Sequence, residues 1–187
     1  MDGNTLHATL IEIKKEFRAN MNGVASAYMR RCGLVYHVIF GIELPRLKEI
    51  AVDFPSDSRL AEALWQEDVR ESKILASLLM PVEGFTPQRA DEWAAQIPNA
   101  EIAQMTVMNL FARLPYAKEK AFRWMPQKDA PLISLCGFLL IARLRMQGQR
   151  FTPEETNEAV SLIKAIPPTA DAHLSKAARN ALLRLTE

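Results

Sequence analysis

The sequence predicts an all-α protein of stacked antiparallel helix pairs, and three observations carry that prediction. Glycine is scarce, at 7 of 187 residues, while 49% of the chain is hydrophobic and spread along its length. That composition favours packed helices over turn-rich β structure or disorder. Apolar residues recur at helical spacing, as in Leu6, Leu10, Ile13 and Phe17. Helix starts near Asp57, Thr86, Tyr116 and Thr152 are each followed closely by a second helix, at intervals of 29, 30 and 36 residues. One helix pair cannot bury its apolar face alone, so pairs at such a period stack as a solenoid.

The elements follow in order. Residues 5–17 read as a helix with Lys14, Lys15 and Glu16 turned to water, and Gly23 opens a second helix over 24–32 that Gly33 closes. Residues 34–40 are apolar and partly β-branched; with no partner strand following, a buried irregular or helical connection is expected. Pro45 starts a helix whose Leu47, Ile50 and Ala51 face the core, since a proline in the first turn loses no hydrogen bond. Thr86-Pro87 and Thr152-Pro153 each place a hydroxyl at the N-cap and a proline at the first helical position, and Glu155 completes a capping box with Thr152. Pro81, Pro98, Pro115, Pro126 and Pro167-Pro168 mark helix ends. The helix over 130–146 is apolar nearly all round, which predicts a position between neighbouring pairs. A single domain spanning 1–187 is expected, large enough to need no disulfide or metal.

Compartment and charge narrow the function classes. The N-terminus lacks a signal peptide's basic and apolar regions, and the longest apolar run, 132–141, is well short of the roughly 20 residues that span a bilayer. No membrane association and a cytoplasmic location are the expectation. Cys32 and Cys136 each sit among apolar residues and read as buried free thiols, with a redox pair as the alternative. Net charge is +1, unevenly spread: residues 1–100 carry 11 basic and 14 acidic groups, residues 101–150 carry 8 and 3. The second segment suits a polyanion.

Motifs for chemistry are sparse. There is no glycine-rich phosphate loop, no His-Glu-x-x-His and no paired Cys-x-x-Cys. His7, His37 and His173 lack ligand spacing, so neither metal nor cofactor is expected. Ser161 and Lys164 have a Ser-x-x-Lys spacing without its companion motifs. Trp65, Trp93 and Trp124 each lie on an amphipathic helix, as core residues or as rings presented at a cleft for stacking. The candidate nucleic-acid-binding residues are Arg113, Lys118, Lys120, Arg123, Arg143, Arg145 and Arg150, with Trp124. Lys120 and Arg123, three apart, project together; Lys118 and Lys120 diverge by about 200°. These cations face either phosphates or simply solvent.

One run resembles a known family. Phe40-Gly41-Ile42-Glu43-Leu44-Pro45-Arg46-Leu47-Lys48-Glu49-Ile50-Ala51 is similar to a motif of the DNA alkylation repair glycosylases built from HEAT-like repeats. Residues 60–65 and 70–76, then Thr86 and Trp93, continue the pattern in register. The likeness covers about 36–125. It implies a HEAT-like α-solenoid, duplex DNA as partner, and excision of alkylated purines without flipping the base into a pocket. The family's catalytic Trp-x-x-x-Asp element aligns with Ala100 to Gln104, and its later arginine with the apolar Pro131-Leu132-Ile133.

Breaking the bond to a cationic base develops positive charge on the sugar, which a carboxylate stabilises. At about 4 Å and an effective dielectric near 20 that attraction is roughly 4 kcal/mol, so a neutral amide slows the step about a thousandfold. Glu101 is the one candidate catalytic carboxylate, about 60° round the helix from Gln104. The expectation is a DNA-binding, alkylation-repair-like protein whose glycosylase activity is in question; the alternative is a non-catalytic helical-repeat scaffold for a protein partner.

Overall fold

The computed structural model describes residues 1–167 and 169–186, and among these it is all-helical. Two compact units divide the chain, Met1–Gly84 and Phe85–Glu187. The first holds α1 (Gly3–Ala19), α2 (Gly23–Arg31), α3 (Leu44–Val52), α4 (Ser58–Trp65) and α5 (Arg70–Leu79). The second holds α6 (Pro87–Ala95), α7 (Ala100–Asn109), α8 (Ala117–Trp124), α9 (Pro131–Met146), α10 (Pro153–Lys164) and α11 (Ala172–Thr186), with one 3₁₀ turn at Phe111–Arg113.

Side-chain caps set the boundaries. Asp2, Asn22, Asp57, Thr86, Asn99 and Thr152 each accept a backbone N–H of the first turn that follows, and Thr152 with Glu155 forms the full capping box. Caps at Asp2 and Asn22 start α1 and α2 slightly earlier than apolar spacing alone indicates. Pro167 follows α10 as expected; Pro168 lies outside the described residues.

In the first unit, α1 buries Ile13 and Phe17, and α3 buries Leu47 and Ile50, with Ala51 half-buried. Residues 34–40 form an irregular extended strap with mixed burial. Its Val38 pairs with Val69 in an isolated parallel bridge. Glu71 anchors the strap's end. Its carboxylate is fully buried and accepts N–H groups from Phe40 (3.0 Å), Gly41 (3.0 Å) and Ile42 (3.2 Å), with the Arg70 guanidinium donating at 3.0 Å. Gly41 has φ +77°, and a Cβ there would stand 2.2 Å from the Asn22 carbonyl oxygen. No other residue fits that crossing.

In the second unit α9 is the central member, packing against α6, α7, α8 and α11. Its Leu135, Cys136, Phe138, Leu140, Ile141 and Leu144 are all buried. Helices α8 and α9 run antiparallel: a Cβ on Gly137 would lie 2.5 Å from the Met125 N and 2.9 Å from the Ala121 O, while Ser134 Oγ donates to the Met125 carbonyl at 2.7 Å. Helices α9 and α11 run parallel, their starts lining one cavity through Pro131, Ser134, Asp171 and Leu174 and their ends meeting where Arg145 Nε donates to the Arg184 carbonyl.

The three tryptophans are core residues, each no more than 3% exposed. Trp93 meets Phe85 edge-on at 5.3 Å and Trp124 leans on Phe111 at 5.1 Å. Both cysteines are free. Cys136 is buried, as expected, and burial pushes its thiol far up. Cys32 is instead exposed, because it is the C-cap of α2, a helix that buries none of its residues.

Gly137 is the most direct test of this packing. An exposed helix gains about 0.5–1 kcal/mol from Gly→Ala, but here the new methyl meets α8 backbone. We expect Gly137→Ala to destabilise by about 1–3 kcal/mol, seen as a thermal midpoint roughly 3–10 °C lower.

Candidate nucleic-acid interface

The second unit sorts its polar side chains by layer. The first helices of its pairs are α6, α8 and α10; the second helices are α7, α9 and α11. On α8, Lys120 is 1% exposed and donates to Asp91 of α6 at 2.8 Å; Trp124 Nε1 donates to the other Asp91 oxygen, also at 2.8 Å. Arg123, largely exposed, stands 3.8 Å from the same carboxylate. Burial raises the Asp91 carboxyl, but the Lys120 and Trp124 hydrogen bonds and the two cations outweigh it, so its pKa lies below the ordinary value. Beside it, burial and then the Asp91 charge push the Tyr116 phenol up to about 12, and its O–H donates to the Phe85 carbonyl.

Toward α10, Lys118 binds both oxygens of Glu155 at 2.9 Å and sits 5.1 Å over the Phe151 ring. The α8 cations thus link successive first helices.

The remaining predicted residues scatter. Arg113 is exposed and donates to the Asn109 carbonyl at 3.2 Å; Arg145 donates to Arg184 and, at 3.4 Å, to the Gln149 carbonyl; Arg150 is exposed and its carbonyl accepts from Lys118 at 3.3 Å. Arg143 differs: its Nε is buried and finds no hydrogen-bond partner among the described residues.

Arg143 sits one turn beyond Leu139 on α9, and Leu139 lines a groove of about 650 Å³ walled by α7 and α11. Gln104 comes from α7; His173, Lys176, Arg179 and Asn180 come from α11. Lys176 and Arg179 are exposed, and neither has an ion pair among the described residues. Asp171 fixes the helix start by accepting from the backbone of His173 (2.8 Å) and Leu174 (3.3 Å). The opposite side of α11, Ala177, Ala178, Ala181 and Leu185, is buried, so its cationic side faces outward. Glu101 lies in the first turn of α7, half-buried, where the helix dipole favours a carboxylate. Among the described residues no three His, Cys, Asp or Glu side chains gather as a metal site, and no helix is long and apolar enough to cross a membrane.

The family model for the DNA alkylation repair enzymes matches residues 13–178. This chain belongs to the DNA alkylation repair enzyme family. A solved structure described as "a new family of proteins related to the HEAT-like repeat DNA glycosylases with affinity for branched DNA structures" is similar in fold. It superposes with a TM-score of 0.81 over 99% of this chain and 76% of that one, at 16% identity. The fold of this alkylation-repair family member is therefore the HEAT-like helical repeat. No curated protein matches the chain.

In this family member Gln104, which the sequence resemblance matches to the motif's aspartate, lies on the groove wall. The side chains lining the groove include cations and amides and no carboxylate.

The Asp91 cluster makes a stability prediction. Asp91→Ala strands a buried ammonium and should cost about 3 kcal/mol, the low end for a broken buried pair because Asp91 is a third exposed. Lys120→Met removes the buried ammonium and leaves Asp91, which is a third exposed and still accepts from Trp124, so it should cost less, about 1 kcal/mol. Because the Asp91 pKa is lowered on folding, its contribution is full above the ordinary carboxylate value and disappears as pH falls through the lowered one. Denaturant titrations of both variants from neutral to acid pH test the order and the sign.

Proposed function

We propose that this protein binds DNA through the α7–α9–α11 face of its second unit and does not excise bases. The observation that carries this reading is the groove with Lys176 and Arg179, which have no ion pair among the described residues, on one wall and Gln104 on the other. Two such cations, one turn apart on a packed helix, are placed to hold consecutive phosphates. Arg143 adds a third cation further along α9. Membership in the DNA alkylation repair family supports DNA as the ligand. The fold relative's described affinity for branched DNA makes junctions, alongside linear duplex, the substrates to try.

The chemistry is the weaker half of the inheritance. A glycosidic bond to a cationic base breaks faster beside an anion, and an amide at Gln104 supplies no charge. Glu101 is one turn away at the helix start and takes no role in this reading.

The salt dependence of binding separates interface cations from structural ones. Each lost phosphate contact lowers the slope of log K against log salt by roughly 0.9 for duplex DNA. Lys176→Ala and Arg179→Ala should each show that decrement and weaker binding, whereas Lys118→Ala and Arg123→Ala keep the parent slope. The wild-type protein should release no alkylated purine from methylated DNA. Release that disappears in Glu101→Gln would overturn the non-catalytic half; no binding at low salt would overturn the whole.

A further inference from the structure

Eight large apolar side chains stand well exposed among the described residues, and four of them, Met21, Val24, Tyr28 and Val35, fall within fifteen residues around α2. Val24 is 81% and Tyr28 61% exposed. The cause is local. On its inner side α2 rests on the strap, where Asn22 N donates to the Phe40 carbonyl at 2.8 Å and Ser26 Oγ to the Ile39 carbonyl at 2.7 Å. Gly41 allows that close approach. The helix therefore packs through small and backbone groups and turns its large residues out. Val24, Tyr28 and Arg31 share one face at helical spacing.

The charge around this face has one sign. No carboxylate occurs between Glu16 and Glu43, a stretch that carries Arg18, Arg30 and Arg31. Arg30 is engaged with the carbonyls of Tyr36 (3.1 Å) and His37 (3.4 Å). Arg18 and Arg31 are exposed, with no ion pair among the described residues. The carboxylates that approach the strap are occupied: Asp68 accepts from the His37 N–H at 2.9 Å, and Glu71 takes the three N–H groups of residues 40–42.

An aromatic ring flanked by aliphatic side chains and framed by guanidinium groups complements a polyanion that itself exposes flat apolar surface. Nucleic acid does so wherever its bases are unstacked, at branch points and strand ends. We propose that the outer face of α2 is a second DNA contact, with Tyr28 as a stacking platform for an unpaired base, Val24 and Met21 beside it, and Arg18 and Arg31 on the adjoining phosphates. This rests on the DNA-binding reading above, and it predicts a preference for branched over fully paired DNA.

The test uses the full chain with a three-way junction carrying 2-aminopurine at the branch, and a linear duplex of equal length. Tyr28→Ala should lose about tenfold of the junction-over-duplex preference, the scale of one base-aromatic stack, with duplex affinity unchanged. Quenching of the 2-aminopurine should vanish in Tyr28→Ala and persist in Tyr28→Phe, which keeps the ring; Arg31→Glu should weaken junction binding. Unchanged junction preference in Tyr28→Ala, with duplex binding still weakened in Lys176→Ala, overturns this proposal and leaves the first standing. Failure of the wild type to bind either DNA removes both. Capture of the face by anionic phosphatidylserine vesicles, or by a second copy in a dimer that Val24→Asp dissolves, with junction preference intact, overturns it as well.

Discussion

Lys120 leaves α8 pointing inward, and its ammonium meets the Asp91 carboxylate of α6 at 2.8 Å with almost no water contact. The second unit's architecture turns on that pair. A buried ammonium is tolerable only beside an anion, so α8 is fixed against α6, and the Trp124 indole is drawn to the same carboxylate. On its other side α8 lies close enough to α9 that only Gly137 fits the crossing. The first-helix layer holds α9 in place, and α9 in turn sets α7 and α11 as its flanks. The groove between those flanks is a consequence of packing on the far side of α9.

That division of labour also decides where the unit has charge to offer. The lysines of α8 are matched to carboxylates on neighbouring first helices, Lys118 to Glu155 and Lys120 to Asp91. A cation already paired gains little from a phosphate and gives up a partner to reach it. Lys176 and Arg179 have no such commitment among the described residues. Gln104 faces them with hydrogen-bonding capacity and no charge, a composition suited to holding a polyanion and poor at stabilising a developing cation.

Much of the fold was legible because its signals are local. A hydroxyl or carboxylate cap acts within three residues, so Asp57, Thr86 and Thr152 announce their helices in the sequence itself, and the interval between them reveals the pairs. The all-round apolar character of 130–146 likewise predicts a helix packed between neighbours, as α9 is. Side-chain commitments were not legible, because they join residues far apart. Asp91 lies 29 residues before Lys120, and Glu155 lies 37 after Lys118. A windowed charge count therefore singled out the segment whose lysines are paired and passed over α11. Yet His173, Lys176, Asn180 and Leu183 stand at i, i+3, i+7 and i+10, opposite an alanine-rich face, a pattern the sequence does display. Cys32 is exposed against expectation for a related reason: apolar neighbours in sequence do not guarantee burial on a helix held through its small residues.

Hydrogen–deuterium exchange of the full chain with and without saturating DNA addresses the account's central claim, that paired first-helix cations are structural and second-helix cations meet the ligand. Bound DNA should slow exchange across residues 139–146 and 172–183 while leaving 117–124 unaltered. Protection confined to 117–124, with 172–183 unaffected, would contradict it and return the interface to α8.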